Sequence, residues 1–272
     1  MLNKKKQFTE TSCFCEKKKI IKNVLKYNSR PKGETDFKIK KNYYKRFYSK
    51  CTNCNHYFAS HNYDMEKLYD KNYSKLTYGS QKKILNTFNK IINLPESESD
   101  NKSRVRRVLS HIKKNFVCLD VGSGLGVFPN ELKKNKIKVH CLEKDKNLNI
   151  HLKNIKLKVV NNLIFRKKFS ARYDFLSMNK IIEHIEKPKF FLNKFLSLMK
   201  NSGYLYIEVP SINALKSKIG KKREEFFIEH FHVFSKKSLE ILLKSIDLKI
   251  IYIKNIKENS GKYTLIALAK KI

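Results

Sequence analysis

The stretch that decides the fold is residues 116–126, FVCLDVGSGLG. Apart from Asp120, FVCLDV is a short apolar run of the kind found in strands buried on both faces. Gly122, Gly124 and Gly126 follow at once. The chain holds eight glycines in 272 residues. Three of them within five positions mark a backbone that turns sharply or approaches a ligand closely. A helical pattern follows near 126–135. Strand, glycine loop and helix put the loop at the crevice where open α/β sheets bind ligands.

The spacing narrows the ligand. A dinucleotide fingerprint, G-x-G-x-x-G, needs its third glycine at position 127, which is valine. Here the pattern is G-x-G-x-G, with Asp120 two residues before the first glycine. Glu143 lies nineteen residues beyond Gly124, at the end of a second strand, KVHCLE. A carboxylate there can accept hydrogen bonds from both hydroxyls of a ribose.

Further strands read near 157–161 and at YDFLSM, GYLYIEV, LKIIYIK and KYTLIALAK. Helices read near 146–153, from Pro188 through Phe190, Phe191, Phe195 and Met199, and from the cap Ser235 through Leu242. Such alternation predicts a parallel sheet covered on both faces. The last two strands are too close for a crossover helix and predict an antiparallel hairpin.

This combination resembles the class I S-adenosylmethionine-dependent methyltransferases over about residues 103–272. The resemblance implies an α/β, Rossmann-like domain of seven strands whose last hairpin is antiparallel. It implies S-adenosylmethionine as cofactor, with Asp120, Gly122, Gly124 and Gly126 at its methionine end and Glu143 at its ribose. Asn161 or Asn162 occupies the adenine position, where the family often has aspartate. Asn179 begins the segment after the fourth strand. The segment MNKIIEHIEKP (178–188) resembles the family's E-H-x-x-x-P connection, with Glu183, His184 and Pro188 in place. A plain strand-to-helix connection accounts for these residues as well as catalysis does.

Residues 1–62 read as an irregular, lysine- and tyrosine-rich, cysteine-bearing module, 63–102 as a helical connector and linker, and 103–272 as the methyltransferase-like domain. Cys13-Phe-Cys15 and Cys51-Thr-Asn-Cys54 can offer four thiolates to a tetrahedral zinc. Zinc is the better reading than disulfides for a chain expected in the cytosol. A region this poor in apolar residues needs such a staple. The sequence YSKCTNCNHYFAS, followed by LYDKNY, resembles the cysteine zinc module that begins a subset of these enzymes, many acting on sugars. Asn55 stands where that module has glycine, and the first pair is C-x-C rather than C-x-x-C. His56 or His61 could replace one thiolate. Cys118 and Cys141 lie in apolar strands and read as core.

FFIEHFHVFS (226–235) follows the fifth strand. It resembles the Tyr-x-Glu-His-aromatic motif of sugar C-methyltransferases that act on nucleotide-linked keto-sugars. That makes Glu229 and His230 the candidate catalytic pair, with Phe227 at the tyrosine position. Histidine titrates near neutrality and can accept the acceptor's proton. The alternative is a buried, hydrogen-bonded histidine bracing the loop. In an extended segment His232 points to the opposite face.

The formal charge is +36, from 60 Lys+Arg against 24 Asp+Glu. A polyanion partner is one reading. The lysines are spread along the chain rather than gathered in a patch, which favours compositional drift. No apolar run is long enough to span a membrane, and no signal-peptide h-region is seen, so a cytosolic protein is expected. The expected function is S-adenosylmethionine-dependent methylation of a small molecule, a sugar or nucleotide-sugar. An RNA methyltransferase is less favoured. After the fourth strand stands Asn179-Lys180-Ile181-Ile182 rather than the N/D-P-P-Y/F segment of base-amino methylators. A non-catalytic zinc-binding adaptor is the third alternative.

Overall fold

The computed structural model of the chain describes residues 9–61, 63, 77–165 and 172–272. Contrary to the irregular reading, the N-terminal region is a sheet. Strands β1 (Thr9–Glu10), β2 (Ile20–Tyr27), β3 (Arg46–Cys51) and β4 (Tyr57–His61) pair antiparallel in the order β1-β4-β3-β2. Its core is aromatic rather than aliphatic, which hid it from hydropathy. Tyr27, Tyr44, Tyr48 and Tyr57 pack with Phe226, Ile228, Phe231 and Val233 from far along the chain. Arg46 is fully buried among them, paired with Glu34 at 2.8 Å.

The connector holds helices α1 (Gln81–Ile92) and α2 (Asp100–Leu109), capped by Ser80 and Ser99. Most of the predicted helix before residue 77 lies outside the described residues. Only Ile84 and Phe88 of α1 are buried.

Next come β5 (Val117–Val121), α3 (Val127–Lys134), β6 (Lys138–Leu142), α4 (Lys146–Asn154), β7 (Lys158–Val160) and β8 (Tyr173–Asn179). Then follow α5 (Pro188–Leu196), β9 (Met199–Pro210), β10 (His232–Val233), α6 (Lys236–Lys244), β11 (Leu248–Lys257) and β12 (Tyr263–Lys271). The large sheet has the order β11-β12-β9-β8-β5-β6-β7. Strands β7, β6, β5, β8 and β9 are parallel, while β12 is antiparallel to both β9 and β11. This matches the expected Rossmann-like α/β sheet of seven strands. One boundary differs: Met199 opens β9 instead of continuing the helix from Pro188, which stops at Leu196.

Two features position the site. The chain leaves β5 for β6 on one side and pairs β5 with β8 on the other, so the glycine loop sits where strand order reverses. Strand β10 belongs to the N-terminal sheet, pairing His232 with Phe58 and Val233 with Tyr57. The segment after β9 is thereby held between the two sheets.

Candidate active site

The three glycines are required for three different reasons. All have positive φ, at 69°, 52° and 74°. A Cβ on Gly122 would stand 2.1 Å from Cδ1 of Ile181, so glycine lets the segment after β8 close on the loop. A Cβ on Gly126 would stand 2.4 Å from Leu152, which fixes the packing of α3 against α4. At Gly124 nothing lies within 4 Å of that position. There the backbone faces open space, as a ligand cradle must.

Glu143 backs the cradle. One carboxylate oxygen accepts from the backbone N–H of Gly124 at 2.8 Å. The other accepts from Lys144 and Asp145 at 2.8 and 2.9 Å. Burial raises its pKa, and these N–H groups oppose that. Asp120 is buried at the end of β5 and accepts from the Ser177 hydroxyl at 2.6 Å and from the Asn179 amide at 3.3 Å. Burial pushes its pKa up to about 6. The Oδ1 of Asn179 is buried without a hydrogen-bond partner among the described residues. Asn161 is exposed at the end of β7, and Asn162 begins a 3-10 turn whose first two side chains lie outside the description.

These features fit S-adenosylmethionine. The orphaned amide oxygen can take an ammonium donor, the open cradle admits a methionyl chain, and Glu143 can accept from ribose hydroxyls.

Glu229 and His230 are not paired with each other by side-chain hydrogen bonds. His230 Nδ1 donates to the carbonyl of Glu225 at 3.0 Å. Its ring lies 4.8 Å from that of His184, edge to face. His184 Nδ1 in turn donates to the Glu229 carbonyl at 2.9 Å. The Phe231 N–H donates to the Glu183 carbonyl at 2.7 Å. The chain therefore brings together two Glu-His dipeptides that lie 46 residues apart, 183–184 and 229–230. The sequence alone puts the candidate catalytic pair at the second and leaves the first open between a connection and catalysis. The repeated dipeptide was the available signal.

Burial depresses the pKa of His230 well below its ordinary value, and His184 adds to the effect. Burial holds His184 at about 4. Burial pushes Glu183 up to about 8, with Lys180 opposing, and Glu229 up to about 7. His232 does point the other way, toward the N-terminal sheet, where its Nδ1 meets Nε2 of His56 at 3.0 Å.

The N-terminal sheet supports this loop directly. The Tyr48 hydroxyl donates to the carbonyls of His230 and Phe227 at 2.6 and 3.2 Å. Glu34 accepts the Ile228 N–H at 2.7 Å. Neither Tyr48 nor Glu34 was singled out in the sequence, because their role depends on tertiary contact alone.

Cys13, Cys15, Cys51 and Cys54 are all buried, and their sulfurs lie within 4.8 Å of one another. None is in a disulfide. Four converging thiols are the donor set of a tetrahedral zinc. Neither His56 nor His61 joins them: His56 is engaged by His232 and Ser238, and His61 by the Tyr63 N–H. Asn55 takes φ 57°, so it adopts the left-handed turn that glycine would otherwise supply.

The model of a methyltransferase domain matches residues 95–253, more than half of the chain. The chain belongs to this methyltransferase-domain family. Solved structures share the fold of this methyltransferase-family chain. An S-adenosylmethionine-dependent methyltransferase of Thermotoga maritima has 16% identity and a TM-score of 0.54, covering 69% of this chain and 96% of its own. One of Archaeoglobus fulgidus has 19% identity and a TM-score of 0.52, with coverages of 73% and 98%. The 1,6-didemethyltoxoflavin-N1-methyltransferase of Burkholderia thailandensis, solved with its acceptor and S-adenosylhomocysteine, has 14% identity and a TM-score of 0.50, with coverages of 70% and 86%. No curated protein matches the sequence. Among the described residues no helix is long and apolar enough to cross a membrane.

Proposed function

We propose that this chain transfers a methyl group from S-adenosylmethionine to a small-molecule acceptor, a sugar or nucleotide-sugar. The observation that carries the cofactor half is Gly124, whose backbone faces open space with Glu143 hydrogen-bonded behind it. When bound, S-adenosylmethionine supplies an electrophilic methyl on a sulfonium. Asp120 and Asn179 would hold its methionine end and Glu143 its ribose, with Asn161 or Asn162 toward the adenine.

The acceptor half is carried by the cluster of Glu183, His184 and His230, which the contact of Ile181 with Gly122 ties to the glycine loop. These groups hold the acceptor's reacting atom in line with the methyl–sulfur bond, where alignment accounts for much of the rate. The acceptor would give up its proton to the Glu229–His230 pair as it takes the methyl group that S-adenosylmethionine supplies. Glu229 and His230 act from the segment over this reaction, with Phe226 and Phe231 buried beside them to exclude water.

A sugar acceptor is supported by the resemblance of the cysteine pairs and of the Glu229-His230 segment to sugar methyltransferases. Ile228, two residues before His230, also lines a cavity of about 320 Å³ with Arg30, Lys41 and Tyr44. Glu34 and Asp36 line it too, so its charges offset and it offers a polar pocket for the distal part of such an acceptor. A structural zinc on the four cysteines completes the proposal. The charge of +36 favours RNA as a second reading. Transfer of labelled methyl from S-adenosylmethionine to a panel of nucleotide-sugars and to RNA decides between them. Label in the sugar fraction supports the proposal. Label confined to RNA, with steeply salt-dependent binding, overturns the acceptor class.

A further inference from the structure

Glu183 is fully buried, and neither of its carboxylate oxygens has a hydrogen-bond partner among the described residues. Buried carboxylates are normally paired, hydrogen-bonded or bound to a metal. The neighbouring cation does not meet this need. Lys180 places its ammonium 2.9 Å from Glu258 and on the Thr264 hydroxyl.

What Glu183 does face is two imidazoles. Each donates its Nδ1 proton to a backbone carbonyl, His184 to Glu229 and His230 to Glu225. A carbonyl only accepts, so both tautomers are set, and each ring carries its lone pair on Nε2. Carbonyl-oriented imidazoles of this kind are the usual arrangement around a metal. One nitrogen from each ring and one Glu183 oxygen lie within 4.8 Å of one another. Ligands held about 2.1 Å from a common ion stand roughly 3–4 Å apart, so a small contraction completes the set.

We propose that Glu183, His184 and His230 bind a divalent first-row cation whose remaining positions take two oxygens of the acceptor. Two imidazoles and a carboxylate form a nitrogen–oxygen donor set, suited to Mn²⁺, Co²⁺ or Zn²⁺ and distinct from the four thiols. The acceptor class that follows carries adjacent oxygens, either vicinal hydroxyls or a hydroxyl beside a carbonyl. This acceptor half rests on the methyltransferase reading; the cation site does not.

The test titrates Mn²⁺ into the full chain and reads the free ion by electron paramagnetic resonance, with Co²⁺ absorption as a second probe. Mn²⁺ favours nitrogen and oxygen ligands over thiolates and so leaves the cysteine cluster aside. Wild-type protein is expected to take up one Mn²⁺ or Co²⁺ at this site. Glu183→Gln and His184→Gln should weaken it at least tenfold while leaving S-adenosylmethionine affinity unchanged. His230→Asn replaces either variant should it fail to fold. No uptake of either ion by the wild type, or equal uptake by the variants, overturns the site. Absence of S-adenosylmethionine binding, measured in parallel, contradicts the methyltransferase reading instead, whatever the cation does.

Discussion

The hydroxyl of Tyr48, on the N-terminal sheet, donates a 2.6 Å hydrogen bond to the backbone carbonyl of His230, in the segment over the candidate active site. The same hydroxyl reaches the Phe227 carbonyl at 3.2 Å. Through this contact the cysteine-bearing sheet orients residues that lie 179 and 182 positions further along the chain.

Tyr48→Phe removes the donor and leaves two carbonyls without it. We expect a loss of about 1–3 kcal/mol in stability, the usual cost of an unpaired buried polar group. Turnover should fall with S-adenosylmethionine affinity intact, because the hydroxyl touches the loop and not the cofactor crevice. Thermal unfolding and calorimetry of cofactor binding check both halves.

Removal of the proposed zinc from the cysteine cluster is expected to loosen the same loop. The Ser235 hydroxyl donates to the Cys54 carbonyl, and Lys237 donates to the carbonyl of Asn53 at 2.7 Å. A strong chelator, or Cys54→Ser, should lower the melting temperature and raise amide exchange across 226–235. Unchanged exchange in that segment would show that the two are not coupled.

Gly126 and Gly122 should behave as folding positions. Alanine at 126 meets Leu152 and Leu157 at 2.4 and 2.9 Å, and at 122 it meets Ile181 at 2.1 Å, each at a positive φ. Both substitutions combine overpacking with backbone strain, at about 1–3 kcal/mol or more. Denaturant unfolding measures the loss, and Gly126→Ala should disturb α3 more than the acceptor cluster.

Acid stability should depend on Glu208. Burial alone would raise its pKa, but the Arg104 guanidinium at 2.6 Å overrides this and holds it at about 2. Arg107 and the Tyr206 hydroxyl add contacts at 3.0 and 2.6 Å. A folded pKa below the unfolded one contributes stability at higher pH, which is lost as pH falls through the interval. That interval runs from the ordinary glutamate value of 4.5 down to about 2. Glu208→Gln should destabilise the protein by about 3 kcal/mol near neutrality, since it leaves the buried Arg104 with only Glu258, at 3.6 Å, as a carboxylate partner. It should also flatten the stability profile across that acid window.

Much of the parallel sheet was legible because its strands are continuous apolar runs separated by helical periods, a pattern set locally. The glycine loop and Glu143 were legible because a turn and a strand end have fixed spacing. The N-terminal sheet was not. Its core is built from tyrosines around the buried Arg46–Glu34 pair, and one of its strands, His232–Val233, comes from beyond residue 230. Hydropathy cannot see a core made of amphipathic rings. The approach of Glu183-His184 to His230 was equally hidden, because it rests on hydrogen bonds between distant segments, His184 to the Glu229 carbonyl and the Phe231 N–H to the Glu183 carbonyl. Asn55 was legible as a departure from the zinc-module pattern but not as a harmless one until its φ of 57° was seen.

The central claim is S-adenosylmethionine binding at the glycine loop, and calorimetric titration of the cofactor into wild type and Gly124→Val tests it most directly. Space beside Gly124 is open, so valine there meets no protein atom; it adds backbone strain at φ 52° and intrudes on the cradle. The account predicts one saturable site in the wild type and at least a tenfold loss in the folded variant. No binding by the wild type, or equal binding by both, would contradict it.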